Sequence, residues 1–491
     1  MTDKAGSFNF DQQAMRQLGY RVVDLIVDHQ TGMRSKPVAR RRERAVYDRR
    51  FAAPPPRTAT DPQAVLSEVA EHVLTGIAHT DHPRFYGYVP GPGNYVSVLG
   101  DALAAGFNVF AGHSLVGSSA AAIESITLGW LRDLMGMPST AGGIFLSGGS
   151  MAGLSALHVA RTRALGAGVT HDPTLAVYGT TEAHSSLAKA LRTLGFGNDQ
   201  LRLVPIDDSL RMNVQALAEM VRSDRINGLR PLAVIATAGT TSTGTVDPLL
   251  DIRRLCDDEN LWMHVDGAYG GAARIGTCAK TLLDGLGMAD SLVLDPHKWL
   301  FQPYEIGCLL VRDARSLKAA FAVEAEYLRE AAASASSAAD GLAGAINFYD
   351  YGPQLTRSFR ALTLWMFLKT FGLDHVEQAI DRGIKLAEAA EAHISASSEW
   401  QIVTPAQIGI LTFRSTIASR RRPQVIKRAV QAGLDEGYAL ITTTEVRGET
   451  VFRLCPIHPD AQFDEVATAL NKLAVALGEN DENQGNLPTE P

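Results

Sequence analysis

Short apolar runs alternate with longer amphipathic stretches between about residue 140 and residue 315. The length of these runs is typical of strands, and helical patterns such as Ala152–Arg163 and Ser186–Leu194 fall between them. Buried strands that alternate with helices predict a mostly parallel sheet with helices on both faces. Seven strands are predicted: Ile144–Leu146, Leu175–Tyr178, Leu201–Pro205, Leu232–Ala236, Leu261–Val265, Ser291–Leu294 and Cys308–Val311.

The two ends of the chain have different patterns. Apolar residues recur at three- and four-residue steps through residues 10–30, which predicts an amphipathic helix capped by Asn9 or Asp11. The basic stretch from Lys36 to Arg57 is either a solvated connector or a patch for nucleic acid or membrane, and its lack of aromatic interleaving favours the connector. We expect a helical arm over 1–80, a large domain over 81–370, a small C-terminal α/β domain over 371–477 and a disordered tail over 478–491.

Composition and charge narrow the class of protein. The 491 residues are 46% hydrophobic and 20% charged, as in globular proteins, and the formal net charge of −7 gives no general attraction to nucleic acid. No apolar stretch reaches the roughly 18 residues of a transmembrane helix, so we expect no membrane partner. Four widely spaced cysteines match neither a disulfide framework nor a zinc pattern, and no bound metal is expected. The first residues lack a secretory signal, and the combination predicts a soluble cytoplasmic enzyme.

Candidate chemical groups follow three of the predicted strands, at the edge of the sheet where ligands bind. The glycine turn at residues 147–150 opens a helix and offers backbone N–H groups to a phosphate. Asp266 ends one strand, and a buried acid there requires a cation. Lys298 follows another; a lysine in a partly desolvated crevice has a lowered pKa and forms Schiff bases. Together these groups match the phosphate, pyridine nitrogen and aldehyde of pyridoxal 5′-phosphate.

The sequence resembles the fold-type I, group II pyridoxal-phosphate decarboxylases, which include the aromatic L-amino-acid decarboxylases. The resemblance extends from residue 82 to the region of Trp365 and is strongest in HVDGAYGG at 264–271 and DSLVLDPHKW at 290–299. It implies decarboxylation of an L-amino acid, with DOPA, tryptophan, tyrosine or phenylalanine favoured, to the amine and CO2 through a quinonoid intermediate. An aldehyde synthase or an aminotransferase on the same scaffold is the alternative. A homodimer with shared active sites is also implied, with residues 1–80 as its dimerisation segment.

The resemblance further implies roles for single residues. The catalytic residues it implies are Lys298, which holds the cofactor, Asp266, which pairs with the ring nitrogen, and His184 and Tyr327, the candidate proton donors. The implied cofactor-binding residues are Gly149, Ser150, His184, Thr241, Asp266, Ala268, His297 and Lys298. The implied substrate-binding residues are Tyr88, Pro90, His113 and Arg357, although a surface salt bridge is the alternative for Arg357. Residues 331–345, rich in Ala, Ser and Gly, are interpreted as a mobile lid, with a helical connector as the alternative.

The chain carries Asp295 where many relatives of this family carry asparagine. An amide can donate a hydrogen bond to a phosphate, whereas a carboxylate repels one. We therefore expect either that Asp295 faces a basic partner or that the phosphate is bound by backbone donors and hydroxyl groups.

Overall fold

The computed structural model describes residues 8–40, 43–323 and 346–485 of the chain. All seven predicted apolar runs form strands of one sheet, and β2, β6 and β7 are buried along their whole length because helices cover the sheet. The strands are β1 (Gly142–Leu146), β2 (Leu175–Gly179), β3 (Leu201–Leu203), β4 (Arg230–Thr237), β5 (Trp262–Asp266), β6 (Ser291–Leu294) and β7 (Gly307–Val311).

The strand order is β1-β7-β6-β5-β4-β2-β3. Strands β3, β2, β4, β5 and β6 are paired in parallel, whereas β7 runs antiparallel to both β6 and β1. The carboxyl ends of six strands therefore meet at one edge of the sheet, and β7 begins at that same edge. The predicted mostly parallel, seven-stranded sheet is confirmed.

Fifteen α-helices lie within the described residues, and no helix there combines the length and the hydrophobicity that crossing a bilayer requires. The predicted helices of the central region are confirmed as α6 and α7. The helices are α1 (Gln12–Thr31), α2 (Arg44–Phe51), α3 (Pro62–Glu68), α4 (Tyr95–Gly106), α5 (Ser118–Leu134), α6 (Gly149–Leu165), α7 (Ser185–Thr193), α8 (Val214–Ile226), α9 (Leu249–Asp258), α10 (Pro296–Trp299), α11 (Arg315–Phe321), α12 (Ala361–Phe371), α13 (Leu373–Ala396), α14 (Pro423–Glu436) and α15 (Phe463–Gly485).

The C-terminal part has its own sheet and its own core. Strands β8 (Trp400–Gln407), β9 (Ile410–Ser415), β10 (Thr442–Val446) and β11 (Glu449–Leu454) pair antiparallel in the order β10-β11-β9-β8. The rings of Trp400, Phe413 and Phe452 pack together at the centre of this core, with centroids 5.2 to 5.9 Å apart.

The expectation of disorder from residue 478 onward is wrong for the part that the structure describes, because α15 continues to Gly485. Leu477 is buried in the C-terminal core, which fixes the helix just before this segment. Beyond it, Asp481 accepts hydrogen bonds from Ser419 and Arg422, both at 2.6 Å. The polar composition of the segment gave no indication of these contacts.

The N-terminal arm begins with the predicted helix. Asp11 caps α1, since its side chain accepts a hydrogen bond of 2.8 Å from the N–H of Ala14. Arg21 binds Gln63 and Ser67 of the α3 region, which attaches the helix to the next segment of the arm. No residue of α1 is buried in the single chain. Its exposed apolar residues are Met15, Tyr20, Val22, Val23 and Val27.

Candidate active site

The glycine turn lies where the sequence places it, between β1 and α6. Gly148 has a φ of +146°, and the helix begins at Gly149 without a capping side chain, so its first-turn N–H groups are free to bind an anion. A Cβ atom on Gly149 would lie 2.8 Å from Asp295 Oδ2 and 3.1 Å from Ala268 Cβ. A side chain at this position would crowd Asp295 and Ala268, which follow the ends of two neighbouring strands.

A cavity of about 570 Å³ opens at this edge of the sheet. All eight residues that the resemblance assigns to cofactor binding line it. They come from the ends of β1, β2, β4, β5 and β6, which agrees with the rule that ligands bind beyond the carboxyl ends of parallel strands. The other lining residues are Ser147, Gly148, Met151, Ser186, Thr237, Gly239, Tyr269, Asp295, Tyr304 and Glu305.

Lys298 lies on the short helix α10, directly after β6, and its Nζ is 3.0 Å from Asp295 Oδ2. Asp295 is 4% exposed and does face a basic partner, which is the first of the two expectations for this residue. The lowered pKa expected for Lys298 is wrong. Burial alone would lower the pKa, but the carboxylates of Asp295 and Asp266 outweigh burial and raise it above its ordinary value.

Asp266 and His184 lie at the same edge of the sheet, at the end of β5 and after β2 respectively. Asp266 is the last residue of β5, and the N–H of Ala268 donates to its Oδ1 at 3.1 Å, which orients the carboxylate. His184 caps α7: its Nδ1 accepts from the N–H of Ser186 at 3.2 Å and lies 2.7 Å from the hydroxyl of that residue. The imidazole is thereby held on the wall of the cavity.

His297 is held between a backbone group and the buried carboxylate. Its Nδ1 lies 2.7 Å from the carbonyl oxygen of Ile306, and its Nε2 lies 3.6 Å from Asp295 Oδ2. Burial lowers the pKa of His297, so the ring is neutral at neutral pH. A neutral imidazole here leaves Lys298 as the cation that directly contacts Asp295 in the described residues.

Sequence reasoning missed several lining residues, among them Tyr304 and Glu305. The ring of Tyr304 packs 5.0 Å from that of His297, and burial raises its pKa. Glu305 pairs with Arg360 at 3.2 Å. Both residues follow α10 by a few positions in an irregular loop without periodicity, and their closeness to Lys298 in the sequence was the one available signal.

The four predicted substrate-binding residues do not line the cavity of the single chain. The loop that carries Tyr88 and Pro90 adjoins the cavity: Arg453 donates hydrogen bonds to the carbonyls of both Tyr88 and Thr241. His113 is buried elsewhere, where its Nδ1 accepts from the N–H of Leu115 at 3.0 Å.

The substrate-binding role predicted for Arg357 is wrong in this structure. Its side chain and that of Glu124 are both 0% exposed, and they form an ion pair with N–O distances of 2.6 and 3.1 Å. The same guanidinium donates to the carbonyls of Ala111 at 3.0 Å and Phe145 at 2.8 Å. These contacts occupy Arg357 inside the large domain, and the salt bridge is buried rather than on the surface.

Tyr327 and residues 331–345 lie outside the residues that the structure describes. The proposed proton donor and the lid therefore stay predictions.

The described residues fit pyridoxal 5′-phosphate. Thr237 Oγ1 and Asp295 Oδ1 are buried at the cavity with no hydrogen-bond partner in the described part of the chain, which is typical of atoms that contact a polar ligand. The N–H groups at the start of α6 suit a phosphate, the carboxylate of Asp266 suits a pyridinium nitrogen, and the amine of Lys298 suits an aldehyde.

Comparisons with known proteins agree with this chemistry. Residues 47–416 match the family model described as the pyridoxal-dependent decarboxylase conserved domain. The chain is 41% identical over 465 residues to an aromatic-L-amino-acid decarboxylase of Bacillus atrophaeus, with 94% of this chain and 95% of that protein covered. It is 30% identical over 413 residues to tryptophan decarboxylase 2 of Oryza sativa subsp. japonica, with 82% of each covered. Its fold is similar to the crystal structure of Oryza sativa TDC with PLP and tryptamine, with a TM-score of 0.89, 25% identity and coverage of 96% of this chain and 99% of that one.

Proposed function

Since the chain belongs to the pyridoxal-dependent decarboxylase family, we propose that it converts an aromatic L-amino acid to the corresponding amine and CO2. Pyridoxal 5′-phosphate is its cofactor. One observation carries the proposal: Lys298, Asp266, His184 and the glycine turn line a single cavity in a chain that is 41% identical to an aromatic-L-amino-acid decarboxylase.

When bound, the cofactor supplies an electron sink for the bond between Cα and the carboxylate of the substrate. Lys298 provides the amine that holds it covalently. Asp266, oriented by the N–H of Ala268, would pair with the ring nitrogen and favour its protonated, positively charged form, which attracts the electrons. The N–H groups of the first turn of α6 would bind the phosphate, and His184, on the cavity wall, would contact the cofactor.

After CO2 leaves, Cα must receive a proton. Tyr327 is the proposed donor, because a phenol with an ordinary pKa near 10 is protonated at neutral pH. His184 is the second candidate, since it lies on the cavity wall. If neither residue delivered the proton quickly, molecular oxygen could react at Cα instead. The products would then be the aldehyde, ammonia and peroxide of the alternative function.

The experiment that tests the proposal is incubation of the purified enzyme with a panel of L-amino acids. Carbon dioxide, amine, ammonia and hydrogen peroxide are measured together. Equal amounts of CO2 and amine from aromatic substrates support decarboxylation of this class. Aldehyde, ammonia and peroxide as the main products indicate an aldehyde synthase, and amine from glutamate or histidine in preference to the aromatic acids contradicts the substrate class.

We also propose that the enzyme works as a homodimer in the cytoplasm, with residues 1–80 as the dimerisation arm. The exposed apolar face of α1 supports dimerisation, because burial of such a face against a second copy is favourable. Leu103 and Phe107, near the end of α4, are 46% and 79% exposed and add a second apolar surface. The four cysteines are free thiols, which suits a reducing compartment.

A further inference from the structure

Asp295 is a buried carboxylate for which the proposed reaction has no role. One of its oxygens, Oδ2, contacts Lys298 Nζ at 3.0 Å, and the other, Oδ1, has no partner in the described residues. It also lies beside the phosphate-binding turn, since a Cβ atom on Gly149 would come within 2.8 Å of Oδ2. A charged Asp295 would therefore attract the amine but repel the phosphate of the same ligand.

Other titratable groups face Lys298 from the neighbouring elements. Asp266 at the end of β5 and Tyr304 in the loop after α10 both raise the pKa of Lys298 through their negative charge when ionised. His297 is neutral because of burial, and Glu305 is bound to Arg360. His184 lies on the cavity wall, where its Nδ1 is 2.7 Å from the hydroxyl of Ser186. Of the carboxylates that line the cavity, Asp295 is the one in direct contact with Lys298.

We propose that Asp295 holds the Lys298 amine protonated before the cofactor binds and takes over one of its protons when the cofactor aldehyde binds. A protonated amine has no lone pair for the aldehyde carbon. One proton of the ammonium first passes to Asp295 Oδ2. The neutral nitrogen then bonds to the aldehyde carbon, and the carbonyl oxygen leaves as water with the two remaining N–H protons.

The same transfer removes the conflict with the phosphate. A protonated Asp295 carries no charge and has an O–H group that can donate a hydrogen bond. It then presents a donor to the phosphate. Asp295 thus stabilises the protonated amine before capture and donates a hydrogen bond to the phosphate after it.

The test measures capture of the aldehyde by the cofactor-free protein. Visible absorbance of the bound cofactor is followed after mixing with pyridoxal 5′-phosphate and, separately, with pyridoxal, which lacks the phosphate, across a range of pH. Burial lowers the pKa of Lys298, and the carboxylate of Asp295 raises it. In Asp295→Asn this carboxylate is gone, so the pKa of Lys298 should fall. The pH midpoint of the capture rate should fall by about 1 unit or more for both aldehydes, and the rate at a fixed pH below the midpoint should rise about tenfold or more.

Glu305→Gln is the matched control. It removes one negative charge from the same cavity, but this charge pairs with Arg360, so the midpoint should stay in place. Faster capture of pyridoxal phosphate alone, with an unchanged midpoint, would mean that Asp295 only repels the phosphate and would overturn the proposal. An unchanged midpoint with both aldehydes would overturn it as well.

Infrared difference spectra of the unaltered protein, taken before and after capture, test the proton transfer without a variant that must fold. A carboxylic-acid C=O band that appears on capture supports the proposal, and its absence contradicts it. This inference rests on the proposed cofactor, pyridoxal 5′-phosphate, and does not depend on which amino acid is the substrate. Neither assay contains an amino acid, so failure of the proposed substrate class leaves both results interpretable.

Discussion

Removal of one partner of the Arg357–Glu124 pair should destabilise the large domain without directly changing substrate affinity. Arg357→Met removes the guanidinium and keeps an apolar side chain in its place. Glu124 then keeps one hydrogen bond, from the N–H of Phe145 at 3.0 Å, as a buried carboxylate with no counter-ion. The carbonyl oxygens of Ala111 and Phe145 also lose the donor that Arg357 gives them.

The size of the effect follows from this environment. Breaking a fully buried ion pair by removing one partner costs about 3–5 kcal/mol, because the remaining charge stays desolvated. Since both side chains are 0% exposed, solvent screening does not reduce this figure. The double variant Arg357→Met/Glu124→Gln removes both charges and should be within about 2 kcal/mol of the parent. A cycle of the two single variants and the double variant should therefore give a large coupling energy.

The assay is urea unfolding of the loaded enzyme at fixed protein and cofactor concentration, with KM for an accepted amino acid measured on the same samples. Arg360→Met is the matched control, since its partner Glu305 is 57% exposed, and its loss should cost no more than about 1 kcal/mol. Parent-like stability of Arg357→Met together with a KM raised about 100-fold would refute the reasoning. That result would indicate that Arg357 binds the substrate, as the sequence analysis predicted.

Four further outcomes are expected. Borohydride treatment of the loaded enzyme should fix the cofactor on the peptide that contains Lys298, and a label on any other lysine would contradict the site. Tyr327→Phe should lower amine formation by about 10²-fold and produce aldehyde, ammonia and peroxide under oxygen, whereas amine formation at the parent rate would leave His184 as the donor. Deletion of residues 1–57 should give monomers or aggregates by light scattering, and an active dimer would show that the arm is dispensable. Burial raises the pKa of Asp247 to about 6, so the folded protein binds this proton more tightly than the unfolded chain. The stability from this group is complete below about pH 4 and is lost as the pH rises through about 6, so the unfolding midpoint should fall over this window in the parent and less in Asp247→Asn.

The sheet could be predicted from the sequence because its strands are buried on both faces and therefore read as uninterrupted apolar runs. The antiparallel direction of β7 could not, because an apolar run has the same pattern in either direction. The last turns of α15 were missed for a different reason. Asp481 is polar, and its contacts with Ser419 and Arg422 join residues some 60 positions apart, which no local pattern records.

The sequence could bring the predicted cofactor-binding residues to one cavity because these residues follow strand ends in a fixed order along the chain. The substrate side was predicted poorly. Arg357 follows no strand, and an arginine in a loop reads the same whether it binds a ligand or a buried glutamate. The pKa of Lys298 was misjudged because burial was considered without the two carboxylates that face the amine, and those depend on three-dimensional proximity.

Because β7 lies between β1 and β6, the sheet fixes the distance between the two ends of the ligand site that follow β1 and β6. The glycine turn proposed to bind the phosphate follows β1, and Lys298, proposed to bind the aldehyde, follows β6. Two interstrand spacings, about 10 Å in all, separate these two strands. Backbone hydrogen bonds set this spacing, and side-chain substitutions do not change it. Evolution of the cavity can therefore alter which amino acid is accepted while the span between phosphate and aldehyde stays constant.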